Sequence, residues 1–377
     1  MKKLQTGTIA TGKDFLGRST ILKEIETYLG INQSVVLIAP RRYGKSSIIK
    51  KITDTNTFGY KIISVDIMGI HSKRLLAEHI INEVYSTIGV HGILSKIKDL
   101  SITFFKDLTN HLTSLKISIE DLSIETTGKL LRETNEDKLL EHALNLPNKI
   151  ATKLHIKFLF VIDEFGELDK LQSKTELIDT MRTIFQKQEN ITFLFAGSQY
   201  ALMTKIFINK SSAFHKFVVS IEVPKMEACD FEKTFYDVFY SRHISTPSNF
   251  AQEIERLSSG IPYYMVRLAQ QVLVDAVLSE KINTHCFSIR RAAIKVYYKE
   301  QGYFASELSK FRGKKHDMTA LIAMSNDENH TLALAEQGVT RQNANSIAKS
   351  LLLTGIIHKK EKYEIIDPFL RRYIKKL

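Results

Sequence analysis

Five short segments rich in β-branched and aromatic residues recur along the first part of the chain, and helical patterns separate most of them. Continuous apolar runs of this length are typical of strands that are buried on both faces of a parallel sheet. The alternation of such runs with helices predicts an α/β domain with a mostly parallel sheet. The predicted strands are residues 34–39, 61–67, 157–162, 191–196 and 217–223.

One helix and one insert can be placed within this domain. Residues 72–88 carry apolar side chains at helical spacing, and Gly89 follows where a C-terminal cap belongs. More than a hundred residues separate Lys45 from Asp163, which is several times the length that one crossover needs. We therefore expect an insert at residues 90–147. Short alternations at 116–125 predict a small hairpin or an irregular lobe within it.

The pattern changes to helices after Pro224. A helix is predicted at 250–257, and Pro262 opens the next one at its favoured first position. The last block has the element order of a winged helix-turn-helix. It consists of a helix at 317–324, a short helix at 332–337, a turn at Gly338, a helix at 340–353 and a hairpin at 356–366.

The first predicted strand runs into a glycine-lysine-serine turn and then a helix, which is how a phosphate-binding loop is built. Lys45 is expected to reach the β- and γ-phosphates, and the Ser46 hydroxyl to hold magnesium. Ala39 occupies the first position of the pattern, so the match is to the looser form with a small residue. The predicted nucleotide-binding residues of the loop are Pro40, Arg41, Arg42, Tyr43, Gly44, Lys45, Ser46 and Ser47.

The strand at 157–162 ends in two adjacent carboxylates, Asp163 and Glu164. In P-loop enzymes the first supports magnesium, and the second polarises the attacking water. A polar strand end would also explain this pair alone, but its combination with the loop predicts a nucleotide-hydrolysing enzyme. Arg41 and Arg42 either place positive charge near the phosphates or pin the loop to a neighbouring carboxylate.

The composition shows a net positive charge and argues against disulfide-rich, zinc-binding and membrane-spanning proteins. Lys and Arg total 53 against 41 acidic residues, a formal charge of +12, which favours a polyanion partner or reflects a lysine-rich solvated surface. The only cysteines, Cys229 and Cys286, lack the spacing of a disulfide framework or a zinc site. No apolar run reaches the length of a membrane span, and the N-terminal residues lack the apolar core of a signal peptide. We expect a cytoplasmic protein.

With these motifs in this order, nearly the whole chain resembles the prokaryotic ATP-binding proteins of the archaeal-type ATPase family, which is related to the AAA+ and STAND ATPases. The resemblance implies ATP and Mg²⁺ as ligands. The expected organisation is an AAA+-like P-loop domain at 1–225, a helical lid at 226–300 and a winged helix at 301–377. The resemblance is carried by residues 14–18 (DFLGR), 39–47 (APRRYGKSS), 161–165 (VIDEF), 197–199 (GSQ), 261–265 (IPYYM) and 363–368 (YEIIDP).

The resemblance also implies roles for further residues. Arg18 would lie near the nucleotide base, although an ordinary surface arginine fits equally. Ser198 or Gln199 would occupy the sensor position that orients water or the γ-phosphate, but Ser198 also suits a helix cap. Lys216 stands where related members carry a trans-acting arginine finger, and an ammonium cannot bridge two phosphate oxygens as a fork. Arg267 is either a lid residue at the γ-phosphate or a solvated helix position.

Two hypotheses remain for what the nucleotide controls. In the first, the chain is associated with double-stranded DNA through the second helix and the wing of the winged domain. The residues expected at the DNA are Arg341, Gln342, Asn345, Lys349, Lys359, Lys360 and Lys362. In the second, the ATP and ADP forms differ in how the winged domain packs on the core, and the partner is a protein. A homo-oligomer is compatible with either hypothesis.

Overall fold

The computed structural model describes residues 4–89, 135–171, 174–210, 212, 214–359 and 361–377. The lobe predicted at 116–125 lies outside these residues, as does most of the predicted insert. The first part of the chain forms α1 (Ser19–Gly30), β1 (Val35–Ile38), α2 (Lys45–Thr55), β2 (Lys61–Asp66), α3 (Lys73–Thr87), α4 (Glu136–Leu154), β3 (Phe158–Asp163), α5 (Lys174–Phe185), β4 (Ile191–Gly197), α6 (Tyr200–Phe207) and β5 (Val219–Glu222). It continues with α7 (Ala228–Tyr240), α8 (Phe250–Ser258), α9 (Pro262–Leu278), α10 (Cys286–Ser309), α11 (Lys315–Ser325), α12 (His330–Ala335), α13 (Arg341–Thr354), β6 (Ile357–Lys359), β7 (Tyr363–Ile365) and α14 (Pro368–Ile374).

All five predicted strands are present, and they form one parallel sheet in the order β2-β3-β4-β1-β5. The sheet confirms the predicted α/β class. Strand β4 lies between β1, which leads into the phosphate-binding loop, and β3, which ends in the paired carboxylates. Because all strands are parallel, their carboxyl ends meet at one edge of the sheet. The phosphate-binding loop and the paired carboxylates therefore lie at that edge.

The two faces of the sheet are covered by different layers, and β1 illustrates why its sequence is continuously apolar. Val35 and Leu37 face the layer that contains α1, α2 and the helices after β5. Val36 and Ile38 face the opposite layer, which contains α3, α4 and α5. Successive side chains of a strand point to opposite faces, so a strand covered on both sides needs apolar residues at every position.

Helix α3 has the boundaries that the sequence indicates. The Ser72 side chain accepts a hydrogen bond from the Leu75 amide at 3.1 Å, which caps the first turn. Gly89 follows the helix with a φ of 90°, a conformation that glycine adopts without steric cost. The predicted helix at 72–88 is thus confirmed.

Helix α4 covers the last part of the range predicted as an insert. It begins at Glu136 after a cap from Asn135, whose side chain accepts a hydrogen bond from the Lys138 amide, and it continues through Pro147. Its apolar face packs against α3 and the sheet. This part of the range therefore belongs to the core layer rather than to a separate lobe.

The C-terminal helices follow the predicted order. Pro262 occupies the first turn of α9, and the later elements are helix, short helix, helix and an antiparallel hairpin in which Ile357 pairs with Ile365. Gly355, with a φ of 74°, ends α13 before the hairpin. We call residues 311–377 the C-terminal domain and residues 226–310 the lid.

Helix α10 connects these two units. At 24 residues it is the longest helix of the described residues, and it passes through the boundary predicted at residue 300. Its buried side chains belong to a single hydrophobic core that also contains residues of the lid and of the C-terminal domain. Within the ranges that the structure describes, no helix has the length and apolar character that a membrane span requires.

An aromatic cluster behind the sheet edge should contribute strongly to stability. Phe195 on β4 is fully buried, with ring centroids 5.1 Å from Phe165 and 5.6 Å from Phe214. We expect Phe195→Ala to lower the free energy of unfolding by about 3–5 kcal/mol, because it leaves a cavity that the packed neighbours cannot fill. Urea unfolding measures this loss. Phe287→Ala, at a side chain that is 73% exposed, is the matched control and should change stability by less than about 0.5 kcal/mol. Equal losses in both variants would contradict the assignment of this core.

Candidate functional site

The phosphate-binding loop connects β1 to α2 at the edge where the strands end. Gly44 has a φ of 85°, and a Cβ built there would meet no atom within 4 Å, so backbone conformation rather than crowding favours glycine. Helix α2 begins at Lys45. The amide groups of its first turn have no partner within the helix, and they carry the positive end of the helix dipole. This end of α2 is suited to binding an anion.

Lys45 is buried inside its own loop. Its Nζ donates hydrogen bonds to the carbonyl oxygens of Ala39 at 2.8 Å and Pro40 at 3.2 Å. Burial lowers the pKa of the Lys45 ammonium, although the nearby carboxylates of Glu164 and Asp163 act in the opposite direction. An ammonium held among loop carbonyls and carboxylates can exchange these partners for phosphate oxygens.

Ser46 and Asp163 meet although 116 residues lie between them. The Ser46 hydroxyl donates to Asp163 Oδ2 at 3.0 Å, and Asp163 Oδ1 accepts from the Glu164 amide at 2.8 Å. Burial raises the pKa of the Asp163 carboxyl. A hydroxyl and a carboxylate oxygen are the hard donors that Mg²⁺ prefers, so this pair fits the magnesium site that the sequence predicts.

Glu164 and Ser198 form the second polar pair of the site. Glu164 has a left-handed backbone with a φ of 50°. Its Oε2 accepts hydrogen bonds from the Ser198 hydroxyl at 2.7 Å and from the Ser198 amide at 3.1 Å. Gln199 points elsewhere, since its Nε2 donates to Glu167 Oε1 at 3.0 Å. Of the two sensor candidates, Ser198 is therefore the one in contact with the predicted base.

Arg18 lies on the other side of the loop and is buried. Its guanidinium donates to the carbonyl oxygens of Pro224 at 2.5 Å and Tyr43 at 3.1 Å. Burial lowers the pKa of Arg18 to about 10, although Asp230 opposes this shift. Arg18 thus joins the loop to the segment after β5, and the structure does not place it at an ordinary surface position.

A cavity opens beside Arg18 and the start of α2. Its walls come from the N-terminal segment, the loop and the first turns of α9. The Ala10 amide donates to the Ser47 hydroxyl at 3.0 Å and holds the N-terminal segment against α2. Pro262 and Val266 close the cavity from the lid. A largely apolar cavity next to an anion-binding loop can accept the base and sugar of a nucleotide.

Arg42 is not among the residues that line this cavity. Its φ is 72°, and its guanidinium contacts Glu300 Oε2 at 3.1 Å and Asp367 Oδ2 at 3.2 Å. It also donates to the Tyr264 hydroxyl, and its Cζ lies 4.4 Å from the ring centre of Tyr263 and 4.0 Å from that of Tyr303. We call Glu300, Asp367, Tyr263, Tyr264 and Tyr303 the Arg42 cage.

The cage keeps the guanidinium charged although it is buried. Burial alone would lower the pKa of Arg42, but Tyr264, Tyr303, Asp367 and Glu300 outweigh this effect and raise it. The cage residues come from α9, α10 and the start of α14, so one side chain of the loop touches both the lid and the C-terminal domain. Arg41, by contrast, is 51% exposed and lies 4.0 Å from Glu307.

The cage was not identified from the sequence as a contact network. Its signal was nevertheless present, because segment 261–265 contains Tyr263 and Tyr264, and segment 363–368 contains Asp367. In the sequence, both segments stand out only as part of the resemblance to the archaeal-type ATPase family. These segments are far from Arg42 in the sequence, and only the tertiary structure brings them into contact with it.

The remaining phosphate candidates have no contact with the loop among the described residues. Lys216 is exposed, with a φ of 62°. Arg267 is half-buried on α9, and it donates to Gln270 Oε1 at 2.7 Å. Neither position adds a second cation to the site in this structure.

The predicted DNA-binding residues fall into two groups. Arg341, Gln342, Asn345 and Lys349 are exposed on α13, whose opposite face is buried through Ala344, Ala348 and Leu351. The hairpin lysines are engaged within the protein. Lys359 lies 5.4 Å from the Tyr363 ring, and Lys362 donates to Asp327 Oδ1 at 2.7 Å. Lys360 lies outside the described residues.

Comparison with known proteins identifies the fold. No family model matches the chain, and no curated protein matches it. Among solved structures, the Walker-type ATPase PABY2304 of Pyrococcus abyssi has 17% sequence identity and a TM-score of 0.71, with 99% of each chain covered. The Aeropyrum pernix ORC2 protein, solved in ADPNP–ADP complexes, has 10% identity and a TM-score of 0.56, with 99% of this chain and 96% of that chain covered. The chain thus has the fold of P-loop ATPases of the AAA+ type.

Proposed function

We propose that this protein is a magnesium-dependent ATPase that acts as a nucleotide-driven switch and associates with DNA through its C-terminal domain. The observation that carries the enzymatic part is the convergence of three contacts at one sheet edge. Lys45 lies in the loop, Ser46 meets Asp163, and Glu164 meets Ser198. These are the groups that phosphoryl transfer to water requires, in separate and compatible roles.

Each residue has a defined task in this reaction. When bound, Mg²⁺ would supply charge stabilisation at the phosphate oxygens, and Ser46 with Asp163 would hold it. Lys45 would turn from the loop carbonyls to the β- and γ-phosphates. Glu164 would orient the attacking water and accept its proton. In-line attack on the γ-phosphate then yields ADP and phosphate.

Turnover by the isolated protein should be slow. The Glu164 carboxylate is held by two hydrogen bonds from Ser198, so part of its accepting capacity is directed away from water. The two arginines of the loop are both engaged with carboxylates, Arg42 in its cage and Arg41 at 4.0 Å from Glu307. A finger supplied by a partner or a second copy would raise the rate.

Two contacts between the C-terminal domain and the site support a switch. The Arg42 cage holds Asp367, at the start of α14, against the phosphate-binding loop. At the other contact, α13 packs against α6, and a Cβ added to Gly355 would lie 3.9 Å from the Ser198 carbonyl oxygen. A nucleotide that changes the conformation of the loop or the contact at Ser198 would therefore change the free energy with which the C-terminal domain docks. By the same coupling, docking of the domain would change the affinity for the nucleotide.

The exposed face of α13 supports association with DNA. Its Arg341 and Lys349 side chains suit phosphates, and Gln342 and Asn345 suit base edges in a major groove. None of the four contributes to the buried face of the helix. The excess of basic residues over the whole chain favours a polyanion as partner.

A protein partner is the second candidate. Leu332 and Leu353 of the C-terminal domain are 65% and 48% exposed, and the hairpin lysine Lys362 is paired with Asp327 rather than free for phosphate. Exposed leucines and an engaged lysine in the same domain favour a protein contact over a nucleic acid. In this case the switch would signal through the docked or released domain.

Glu164→Gln tests the enzymatic proposal. We expect the rate of ATP hydrolysis to fall by about 10²–10⁴-fold, because an amide cannot accept the proton of the attacking water. Affinity for a fluorescent ATP analogue should be retained, because the loop is unchanged. Glu189→Gln, at an exposed position away from the site, is the control and should hydrolyse ATP normally. Unchanged hydrolysis in Glu164→Gln would contradict the assigned role.

Arg42→Gln tests the switch. Removing one partner of a buried ion pair costs about 3–5 kcal/mol, so we expect the C-terminal domain to undock and the radius of gyration from small-angle scattering to rise. Asp367→Asn should act in the same direction, although asparagine still caps α14. The control is Arg41→Gln, the neighbouring exposed arginine. If Arg42→Gln remains as compact as Arg41→Gln, the cage does not hold the domain.

A double variant tests DNA association through α13. Arg341→Ala with Lys349→Ala should weaken binding to duplex DNA and reduce the slope of log affinity against log salt by about two. Fluorescence anisotropy over a salt series measures both quantities. Lys233→Ala, on the exposed face of α7 in the lid, is the control. Absence of duplex binding by the unaltered protein would reject this part of the proposal and favour the protein partner.

A further inference from the structure

A second group of basic residues lies outside the surface predicted from the sequence. It comes from the turn between α10 and α11, the first residue of α11, the last turn of α14 and the residues that follow it, and all of its members are exposed. We call this group the basic strip, and its members are Arg312, Lys314, Lys315, Arg372 and Lys376.

Both segments of the strip lie beside α10. Arg312, Lys314 and Lys315 border a hollow that Tyr373 of α14 also lines. At the other end, Arg372 Cζ and Lys376 Nζ lie 5.4 and 4.9 Å from the centre of the Tyr297 ring. Tyr297 and Ser309, at the end of α10, are about 18 Å apart along the helix axis at 1.5 Å per residue.

The charges of the strip are not neutralised within the part of the chain that the structure describes. None of the five strip residues has a carboxylate partner there. Other cations of the same region are paired: Lys310 with Glu307, Lys295 with Asp275, and both Lys362 and Arg371 with Asp327. Unpaired like charges on one surface repel one another, and a polyanion would relieve this repulsion.

We infer that the basic strip binds the phosphate backbone of duplex DNA, as a contact separate from the α13 face. This inference rests on the proposed association with DNA. A group of five cations spread along about 18 Å of α10 is large enough to contact several phosphates of a duplex, each strand of which carries one charge per 3.4 Å of helix axis. Its lysine and arginine side chains can pair with phosphates of any sequence. The strip would supply affinity that does not depend on sequence, while α13 would read bases.

Two charge-neutralised variants test the strip. One is the triple variant Arg312→Gln, Lys314→Gln and Lys315→Gln, and the other is the double variant Arg372→Gln and Lys376→Gln. The matched control changes Lys295→Gln and Lys233→Gln, which are exposed lysines already paired with carboxylates. Binding to two duplexes of unrelated sequence is measured by anisotropy between about 50 and 200 mM salt. ATP hydrolysis is measured in parallel.

We expect each strip variant to lose affinity for both duplexes by the same factor, about tenfold or more at the lower salt concentration. The salt slope should fall by about 0.9 for each phosphate contact that is lost, while ATP hydrolysis without DNA stays unchanged. The control should bind as the unaltered protein does.

Three results would overturn the inference. Unchanged duplex binding in the strip variants, with weaker binding in the α13 double variant, would reject the strip and leave the proposed function intact. Failure of the unaltered protein to bind either duplex would reject DNA association and the strip together, while ATP hydrolysis would still be tested separately. Loss of binding to phosphatidylserine vesicles without loss of duplex binding would assign the strip to a membrane surface instead.

Discussion

An arginine side chain keeps its charge at any physiological pH, so a fold that buries it must provide carboxylates and hydrogen-bond acceptors around it. Arg42 of the phosphate-binding loop is such an arginine, and its burial requires these partners. Its partners Glu300 and Asp367 lie on α10 and at the start of α14, and both are less than one-fifth exposed. One buried charge network therefore connects the lid and the C-terminal domain to the loop, in addition to the hydrophobic core that they share.

Under the proposed switch, the loop would take part in two equilibria, nucleotide binding and domain docking. Lys45 lies in the loop, where it would reach phosphates, and Arg42 contacts Asp367 of the C-terminal domain. A ligand that shifts the loop changes the stability of docking only if it interacts differently with the docked and released states. Movement of Lys45 from its carbonyl partners to phosphate oxygens offers such a difference. The same reasoning predicts that a partner which captures the C-terminal domain alters nucleotide affinity by an equal factor.

The order of the strands decides which polar groups can meet. Because β4 lies between β1 and β3, Ser198 at its end reaches the carboxylate of Glu164. The neighbouring residue, Gln199, begins the next helix and bonds to Glu167 instead. In the proposed mechanism, Ser198 would hold Glu164 at rest and release it for catalysis.

The sequence by itself determined the five strands, the helical C-terminal part, and the loop with Lys45, because apolar runs and the glycine-lysine-serine turn act through local backbone physics. It also placed Asp163 at a strand end, and hence near the loop. It left open whether Arg42 faces phosphates or carboxylates, and whether Ser198 or Gln199 contacts Glu164. Only the tertiary structure decided these points, because each depends on which distant segments the sheet order and the interdomain core bring within hydrogen-bond distance.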